Sequence, residues 1–245
     1  MKTSNLVSSL FFILISISFY SCDTEGNTNE GKSDITFKDG LTYGTITDQE
    51  GNTYKTIQIG DQVWMAENLR TTKYNDGTSI PLVTDIESIT TMTTPAYMQV
   101  NNKVDKDSIL LYGRLYNFHA VNTGKLAPVG WHVATYADWN KLMTFAGGEN
   151  TAGGKMKETG NKHWKAENNA SNETGFTAIP AGYATNIAYA GMKNFEAVGT
   201  GAYFWQKDNF GSQTAATVYV WYNTTKMSRS TGMKYQGLSV RCVKD

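Results

Sequence analysis

The stretch Ile59-Gly60-Asp61-Gln62-Val63-Trp64-Met65-Ala66-Glu67-Asn68-Leu69-Arg70 decides the fold that the sequence predicts. Gly60-Asp61 is a turn pair, and it separates a strand that ends at Ile59 from a strand that contains Val63. Another turn cluster, residues 48–52, precedes the first of these strands. The sequence therefore predicts a hairpin or meander of short strands that begins near Tyr43, with Trp64 in the core.

A helix is predicted in the middle of the chain, over residues 135–146. Thr135 is a favourable N-cap, and Asp138 three residues later completes a capping-box-like start. The apolar positions follow the spacing of one buried helix face: Trp139, Leu142, Met143 and Ala146. Gly147-Gly148 then ends the helix, as glycine commonly does.

Strand-like runs return after residue 170, where aromatic and β-branched stretches alternate with glycine turns. They cover residues 176–179, 202–205, 217–222 and 238–243. Early strands, middle helices and late strands predict an α+β domain whose sheet is drawn from both ends of the chain. We expect short mixed or antiparallel strands and one or two helices.

Two segments have no clear periodicity. Residues 82–108 are polar and rich in Thr, so we predict a long excursion or insertion loop there. Residues 110–121 fit either a helix or a strand, because apolar residues at near-helical spacing are mixed with Tyr and Phe.

The N-terminus is typical of a secretory signal. Lys2 is followed by the apolar stretch from Leu10 to Phe19 and the small Ser21, a run too short to span a membrane. Cys22 comes next, and the pattern resembles the looser signal of Bacteroidota-like lipoproteins, in which this thiol takes a diacylglyceryl group. We therefore divide the chain into a signal peptide (1–21), a lipidated Cys22 with a flexible tether (22–42) and a single folded domain (43–245).

Charge and cysteine content narrow the class of partner. The chain has 22 Lys and Arg against 22 Asp and Glu, so it lacks the basic excess typical of nucleic-acid binding. Because the charges balance, we expect the protein to be attached to a membrane by its lipid and not by electrostatic attraction to anionic lipids. Cys22 and Cys242 are the two cysteines, so lipidation of the first leaves Cys242 without an intrachain partner.

Catalytic patterns are missing from the sequence. His119, His132 and His163 have neither helix spacing nor zinc-ligand spacing, and we expect His132 to be a packed, hydrogen-bonded residue. Cys242 shares a predicted strand face with Leu238 and Val240, whereas Arg241 faces away. Burial on that face would make the thiol unreactive. We therefore predict that the protein is not an enzyme and has no catalytic residues.

Two segments partly match known patterns for binding a phosphate group or a calcium ion. The run from Gly148 to Lys155 resembles a phosphate loop, but Met156 stands where a Ser or Thr would hold magnesium, and a helix precedes the run. Asp48, Glu50 and Asn52 offer oxygen ligands for calcium without the EF-hand register, and a hairpin turn explains them better. We predict no metal and no cofactor.

The late aromatic residues are the remaining candidates for ligand binding. Alternation along a strand places Tyr203 and Trp205 on one face. It likewise places Tyr219 and Trp221 on one face of the next strand. Outward rings could stack on sugar rings; the alternative is that they fill the core, as large aromatics usually do. The candidate ligand-binding residues are Tyr203, Trp205, Trp221, Tyr222 and Asn223.

Six phrases, in this order and spacing, carry a family resemblance. They are Asp48-x-x-Gly51-Asn52-x-Tyr54, Ile59-Gly60-x-Gln62-x-Trp64-Met65-Ala66-Glu67-Asn68-Leu69-Arg70, Tyr112-Gly113-Arg114-Leu115-Tyr116-Asn117, Pro128-x-Gly130-Trp131-His132, Gly175-Phe176-x-Ala178-x-Pro180-Ala181-Gly182 and Gly237-x-Ser239-Val240-Arg241-Cys242-Val243. Residues 43–245 thereby resemble the Fibrobacter succinogenes major paralogous domain, a family of exported bacterial proteins often carried on lipoproteins. The resemblance implies a C-type-lectin-like fold, and it brings no catalytic residue with it.

The chain departs from the family pattern at two positions. Family members commonly have Cys before the Pro-x-Gly-Trp phrase, and that Cys would pair with the Cys of the final strand. Ala127 occupies this position here, so the resemblance implies that Cys242 stays unpaired. Ala134 stands where the family usually has Pro, at the entrance to the predicted helix.

These observations predict a lipid-anchored binding module of the cell envelope that is not catalytic. It would be attached to the outer membrane, on its periplasmic or surface face, and would contact a glycan or another surface protein. The alternative is a structural or assembly subunit of a surface complex, with residues 82–108 as its contact. A third reading, an enzyme with dispersed carboxylates, requires a deep pocket with clustered Asp or Glu.

Overall fold

The structure is a computed structural model that describes Met1 and residues 34–187 and 191–245. Cys22 and most of the predicted signal and tether lie outside the described residues. The strands are β1 (Tyr43–Thr47), β2 (Thr53–Ile59), β3 (Gln62–Met65), β4 (Tyr97–Met98), β5 (Leu115–Tyr116), β6 (Trp131–Val133), β7 (Tyr183–Ile187), β8 (Met192–Glu196), β9 (Gly201–Asn209), β10 (Thr214–Trp221), β11 (Met227–Met233) and β12 (Cys242–Lys244). The α-helices are α1 (Lys106–Tyr112), α2 (Phe118–Val121), α3 (Tyr136–Phe145) and α4 (Glu149–Met156).

A five-stranded sheet joins the two ends of the domain, in the order β1-β2-β3-β12-β6. The pairs within it are antiparallel, and Gly60-Asp61 forms the turn between β2 and β3. Val243 near the C-terminus pairs with Trp64, and so the early and late segments share one sheet. The predicted α+β class and the mixed origin of the sheet are therefore confirmed, while the lectin-like fold stays a prediction.

The predicted central helix is confirmed as α3. Thr135 accepts a hydrogen bond from the Asp138 N–H, and the Asp138 carboxylate accepts one from the Thr135 N–H, which completes a capping box. Trp139 and Leu142 are buried on its inner face. Gly147 follows with φ of 93°, a conformation that glycine adopts without strain.

The main core is a cluster of aromatic rings between the five-stranded sheet, α3 and a second sheet. Trp64 lies 4.9 Å from Trp139 between ring centroids, and Phe176 and Phe204 complete the cluster at 5.4 to 5.6 Å. Such edge and tilted contacts are the favoured geometry for aromatic pairs. Trp131 is only half-buried, at the edge of a neighbouring cluster.

The second sheet has three antiparallel strands in the order β11-β10-β9, with a bulge between Ala215 and Thr217. One face packs on the main core through Phe204, Val218 and Val220. The opposite face carries Tyr203, Trp205, Tyr219 and Trp221. A two-stranded β7-β8 sheet is formed by the chain that leads into this region.

The prediction of a loop over residues 82–108 is wrong in its details. Ile86 and Ile89 lie in a short 3₁₀ helix, Ile86–Thr91, and both are buried in a third apolar cluster. β4 and the start of α1 belong to the same segment. Ile86 and Ile89, three residues apart, attach this helix to the domain, although most of the segment is exposed. The ambiguous residues 110–121 resolve into the end of α1, β5 and α2.

The segment predicted as a tether is ordered before Tyr43. Ile35 is buried, and the Thr36 N–H donates to Glu158 Oε1 at 2.6 Å. Phe37 packs against the Tyr43 ring with 5.3 Å between centroids. Residues 35–37 therefore contact the domain, through the buried Ile35 side chain and the half-buried Phe37 ring.

Candidate ligand-binding site

A cavity of about 750 Å³ lies on the outer face of the three-stranded sheet. β9, β10 and β11 form its floor, and Tyr183, Ile187 and Met192 of the β7-β8 hairpin line one side. This volume is within the range of sites that hold a small ligand.

The aromatic side chains of the cavity form a ladder across three strands. Tyr203 of β9 stacks on Tyr219 of β10, with 5.2 Å between ring centroids and 14° between ring planes. Tyr183 meets Tyr203 edge-on at 4.8 Å, and Trp221 meets it edge-on at 6.3 Å. The register explains the stack, because Tyr203 and Tyr219 are direct cross-strand partners and Trp221 follows on the same face.

Gly201 provides the space for the Trp221 ring. The two residues are cross-strand partners. A Cβ at position 201 would lie 2.7 Å from Trp221 Cε3 and 2.6 Å from Tyr203 Cε2, so any larger residue would displace the rings. The glycine is thus required by close packing of side chains and not by its own backbone conformation.

The remaining lining is mostly uncharged and polar. Hydroxyl groups come from Thr214, Thr217, Thr224, Ser228, Ser230 and Thr231, and an amide comes from Gln236. Lys226 is the cation of this lining, and its ammonium is paired with Glu149 at 3.0 Å. No carboxylate is among the lining residues that the structure describes. Burial raises the pKa of Tyr183 and of Tyr203, so both phenols stay protonated donors at neutral pH.

Two of the five predicted ligand-binding residues, Tyr203 and Trp221, line this cavity. Tyr222 follows the last residue of β10, and its ring packs against the main core and lies under the Lys165 ammonium. Asn223 is exposed in the following turn and is not part of the lining.

Trp205 corrects the interpretation of the first aromatic run. It is fully buried, lies 5.4 Å from Phe118 between ring centroids, and donates from Nε1 to the Tyr116 carbonyl at 2.6 Å. It shares the strand face of Tyr203, as predicted, but α2 and β5 cover that end of the face. Alternation along a strand identifies a face and cannot tell where another segment covers it.

Tyr183 is a lining residue that sequence reasoning missed. The signal was present, because Tyr183, Thr185 and Ile187 alternate as a strand directly after the Pro180-Ala181-Gly182 phrase. Its ring reaches the ladder only because Gly182 lets the chain approach the β8 end closely. A Cβ on Gly182 would lie 2.1 Å from the Glu196 carbonyl oxygen, and its φ is +64°.

The titratable groups outside the cavity serve the architecture. His132 lies between Asp138 (3.0 Å) and Asp245 (2.7 Å) at the start of α3, which agrees with its expected packed role. His163 contacts Glu158 at 2.8 Å. Burial raises the pKa of the Cys242 thiol, which disfavours the reactive thiolate. No group of three or more His, Cys, Asp or Glu able to hold a metal occurs in the part of the chain that the structure describes.

The loop weighed as a calcium site is held by its own hydrogen bonds. Asp48 Oδ1 accepts from the N–H groups of Glu50 (2.9 Å) and Asn52 (3.0 Å). Its Oδ2 accepts from the Tyr54 hydroxyl at 2.7 Å. The carboxylate therefore caps the turn between β1 and β2, as the hairpin interpretation predicted.

An α+β domain with an aromatic cavity on its outer sheet is the class of protein that these features define. The family model of the Fibrobacter succinogenes major domain matches residues 57–244, and the chain belongs to this family. No curated protein and no solved structure has a significant match to the chain. Among the described residues, none of the helices has both the length and the apolar character needed to cross a bilayer.

Proposed function

We propose that the protein is a non-catalytic binding module of the cell envelope and that the cavity on the β9–β11 sheet takes an uncharged glycan. The observation that carries the proposal is the ladder of Tyr183, Tyr203, Tyr219 and Trp221 beside a row of hydroxyl side chains. The domain would be of the C-type-lectin-like kind and would be held at the outer membrane by a lipid on Cys22.

The chemistry of the lining favours a neutral ligand. Aromatic faces contact the apolar C–H faces of a sugar ring, and the edges of Tyr and Trp supply hydrogen-bond donors. Ser and Thr hydroxyls donate and accept, so they match the sugar's own hydroxyl groups. The Lys226 charge is offset by Glu149. An acidic ligand would therefore gain little electrostatic free energy here, and the described lining residues include no carboxylate that would bind it through calcium.

The absence of clustered carboxylates from the described lining also supports a binding role over an enzymatic one. General acid–base chemistry needs a positioned group whose pKa lies near the working pH. Burial raises the pKa values of Tyr183 and Tyr203 and so moves them further from that range.

The experiment is a screen of the full chain carrying Cys22→Ser, which cannot be acylated, against an array of neutral and acidic glycans. We expect binding to neutral glycans that persists in a calcium chelator and is lost in Trp221→Ala. Phe210→Ala is the matched control, because Phe210 is 71% exposed at the end of β9 and does not line the cavity. Binding only to acidic glycans, or equal loss in both variants, would contradict the proposal.

A structural or assembly role remains the second candidate, and one observation favours it. Val104 (74%) and Leu82 (42%) are exposed apolar side chains on the 82–108 segment, which could contact a neighbouring subunit. Analytical ultracentrifugation of the full chain and envelope cross-linking test this role. A concentration-dependent oligomer that Val104→Ser abolishes would support assembly, and a strict monomer without cross-links would contradict it.

A further inference from the structure

Lys157, at the C-terminal end of α4, is fully buried beneath the rim of the cavity. Its ammonium donates to the carbonyl oxygens of Trp221 (3.0 Å), Tyr222 (2.8 Å) and Thr224 (2.9 Å), and it also bonds to the Asn168 carbonyl. None of the ion pairs among the described residues includes Lys157. Carbonyl oxygens that converge on one charge resemble the way in which proteins hold a monovalent cation.

Stability alone does not account for a lysine at this position. A buried charge without a counter-ion pays the cost of leaving water, and burial lowers the pKa of Lys157 to about 8. Its removal would nevertheless leave several buried carbonyls without a donor. Such a group adds little stability and instead fixes one arrangement of the backbone around it.

The backbone segment whose carbonyls bind the Lys157 ammonium is also fixed by contacts with α4. The Gly154 N–H donates to the Thr225 carbonyl at 3.1 Å, and the Thr225 hydroxyl donates to the Asn150 carbonyl at 2.7 Å. A Cβ on Gly153 would lie 2.1 Å from the Lys226 carbonyl oxygen. Gly153 and Gly154, which belong to the run that resembles a phosphate loop, therefore allow the backbone of α4 to approach the backbone of residues 225–226 closely.

The clamped turn, residues 221–226, forms one end of the cavity, and Trp221, Thr224 and Lys226 all contribute to its lining. We propose that Lys157 is a positioning residue for this site: it acts as a built-in cation that gathers the turn's carbonyls and thereby sets Trp221 in the aromatic ladder. Its consequence for ligand binding rests on the proposed function. The position of the Trp221 ring, however, can be measured without any ligand.

The test uses the full chain with Cys22→Ser, labelled with 5-fluorotryptophan, and the Trp221 fluorine resonance is assigned through Trp221→Phe. In Lys157→Ala we expect this resonance to shift and to split or broaden. Refolding with propylammonium, which replaces the missing ammonium and its methylenes, should return it to the wild-type position. Tetramethylammonium has no N–H donor and should not.

Lys165→Ala is the matched control, because Lys165 is exposed and lies 4.9 Å from the Tyr222 ring centroid. It removes the same charge beside the same turn and should leave the Trp221 resonance in place. A wild-type resonance in Lys157→Ala, or equal rescue by both amines, would overturn the proposal.

A measurement on the chain with intact Lys157 covers the case in which Lys157→Ala does not fold. Nitrogen-15 NMR should show a Lys157 ammonium protected from solvent exchange and coupled through hydrogen bonds to the labelled carbonyl carbons of Trp221 and Tyr222. A freely exchanging ammonium without such couplings would overturn the assignment. A chain that passes these tests but binds no glycan would refute the proposed ligand and leave the role of Lys157 standing.

Discussion

Gly201 lies directly across the β9-β10 ladder from Trp221, and the tryptophan ring fills the space that a Cβ at position 201 would occupy. The same ring meets Tyr203 edge-on, and Tyr203 in turn stacks on Tyr219. The shape of the cavity therefore depends on a residue that contributes no side chain to it. One methyl group added at this point would push on two rings at once.

We predict that Gly201→Ala both disrupts the cavity and destabilises the domain. The added carbon would lie within 2.7 Å of both rings, and overpacking of this kind costs about 1–3 kcal/mol. We expect at least a tenfold loss of ligand affinity, about 1.4 kcal/mol in binding free energy. Titration calorimetry with a glycan from the array, together with urea unfolding, would measure both quantities.

Gly44→Ala is the control for this substitution, because a Cβ there would also overpack, at 2.9 Å from the Thr56 hydroxyl, but in the β1-β2 pair and not in the cavity lining. It should lower the stability of the domain and leave the affinity for the ligand nearly unchanged. Unchanged affinity in Gly201→Ala would show that the Trp221 ring has room to move, and would remove the ladder from the binding site.

The sequence predicted those parts of the fold that local patterns govern. The capping box of Thr135 and Asp138 specified α3, and the Gly60-Asp61 turn specified the β2-β3 hairpin. Local patterns were insufficient for Trp205, because Phe118, which covers it, is 87 positions away in the chain. The cavity depends on contacts of the same kind, between β7, β9 and β10, which strand alternation alone does not specify.

Arg241 is the clearest case of a residue whose role needed the structure. The sequence placed it on the strand face opposite Cys242, yet both residues are fully buried. Its guanidinium donates to Asn68 Oδ1 (2.8 Å) and to the carbonyls of Met65 (2.8 Å), Phe176 (2.8 Å) and Thr177 (2.9 Å). It therefore joins β3 to the 176–177 segment inside the core.

We predict that Arg241→Lys lowers the free energy of unfolding by about 3–5 kcal/mol, because a single ammonium cannot reach acceptors spread around a planar guanidinium. Urea unfolding followed by tryptophan fluorescence measures this change. Arg229→Lys serves as the comparison, since Arg229 is only partly buried and rests on the Tyr136 ring. If Arg241→Lys lowered the free energy of unfolding by less than about 1 kcal/mol, the hydrogen bonds of Arg241 would not be what joins β3 to the 176–177 segment.

The Cys that the resemblance implies at the position of Ala127 gives a third prediction. Ala127 and Cys242 are buried in the same apolar cluster. In the full chain with Cys22→Ser, Ala127→Cys should form a disulfide with Cys242, and closing so long a loop should stabilise the domain by about 4 kcal/mol. Thiol titration under denaturing conditions and urea unfolding with and without reductant would measure this effect.

Ala127→Ser is the control for this substitution, and it should lower the free energy of unfolding. Two free thiols in air-oxidised Ala127→Cys would mean that the cysteines cannot meet.

Lys157 gives a prediction for pH, and its sign follows from proton binding. Burial lowers the pKa of this ammonium from 10.5 to about 8, so between these values the unfolded chain holds a proton that the folded chain has released. The penalty of the buried charge is present below about pH 8 and is relieved as the pH rises toward 10.5. The stability of the parent chain relative to Lys157→Met should therefore increase over this window, by at most about 3 kcal/mol. Urea unfolding at intervals across the window measures the difference.

Comparing the two chains isolates the effect of Lys157, because Arg241, whose pKa burial lowers to about 9, is present in both. A difference that stays constant with pH would show that the carbonyls around Lys157 stabilise its charge enough to offset burial.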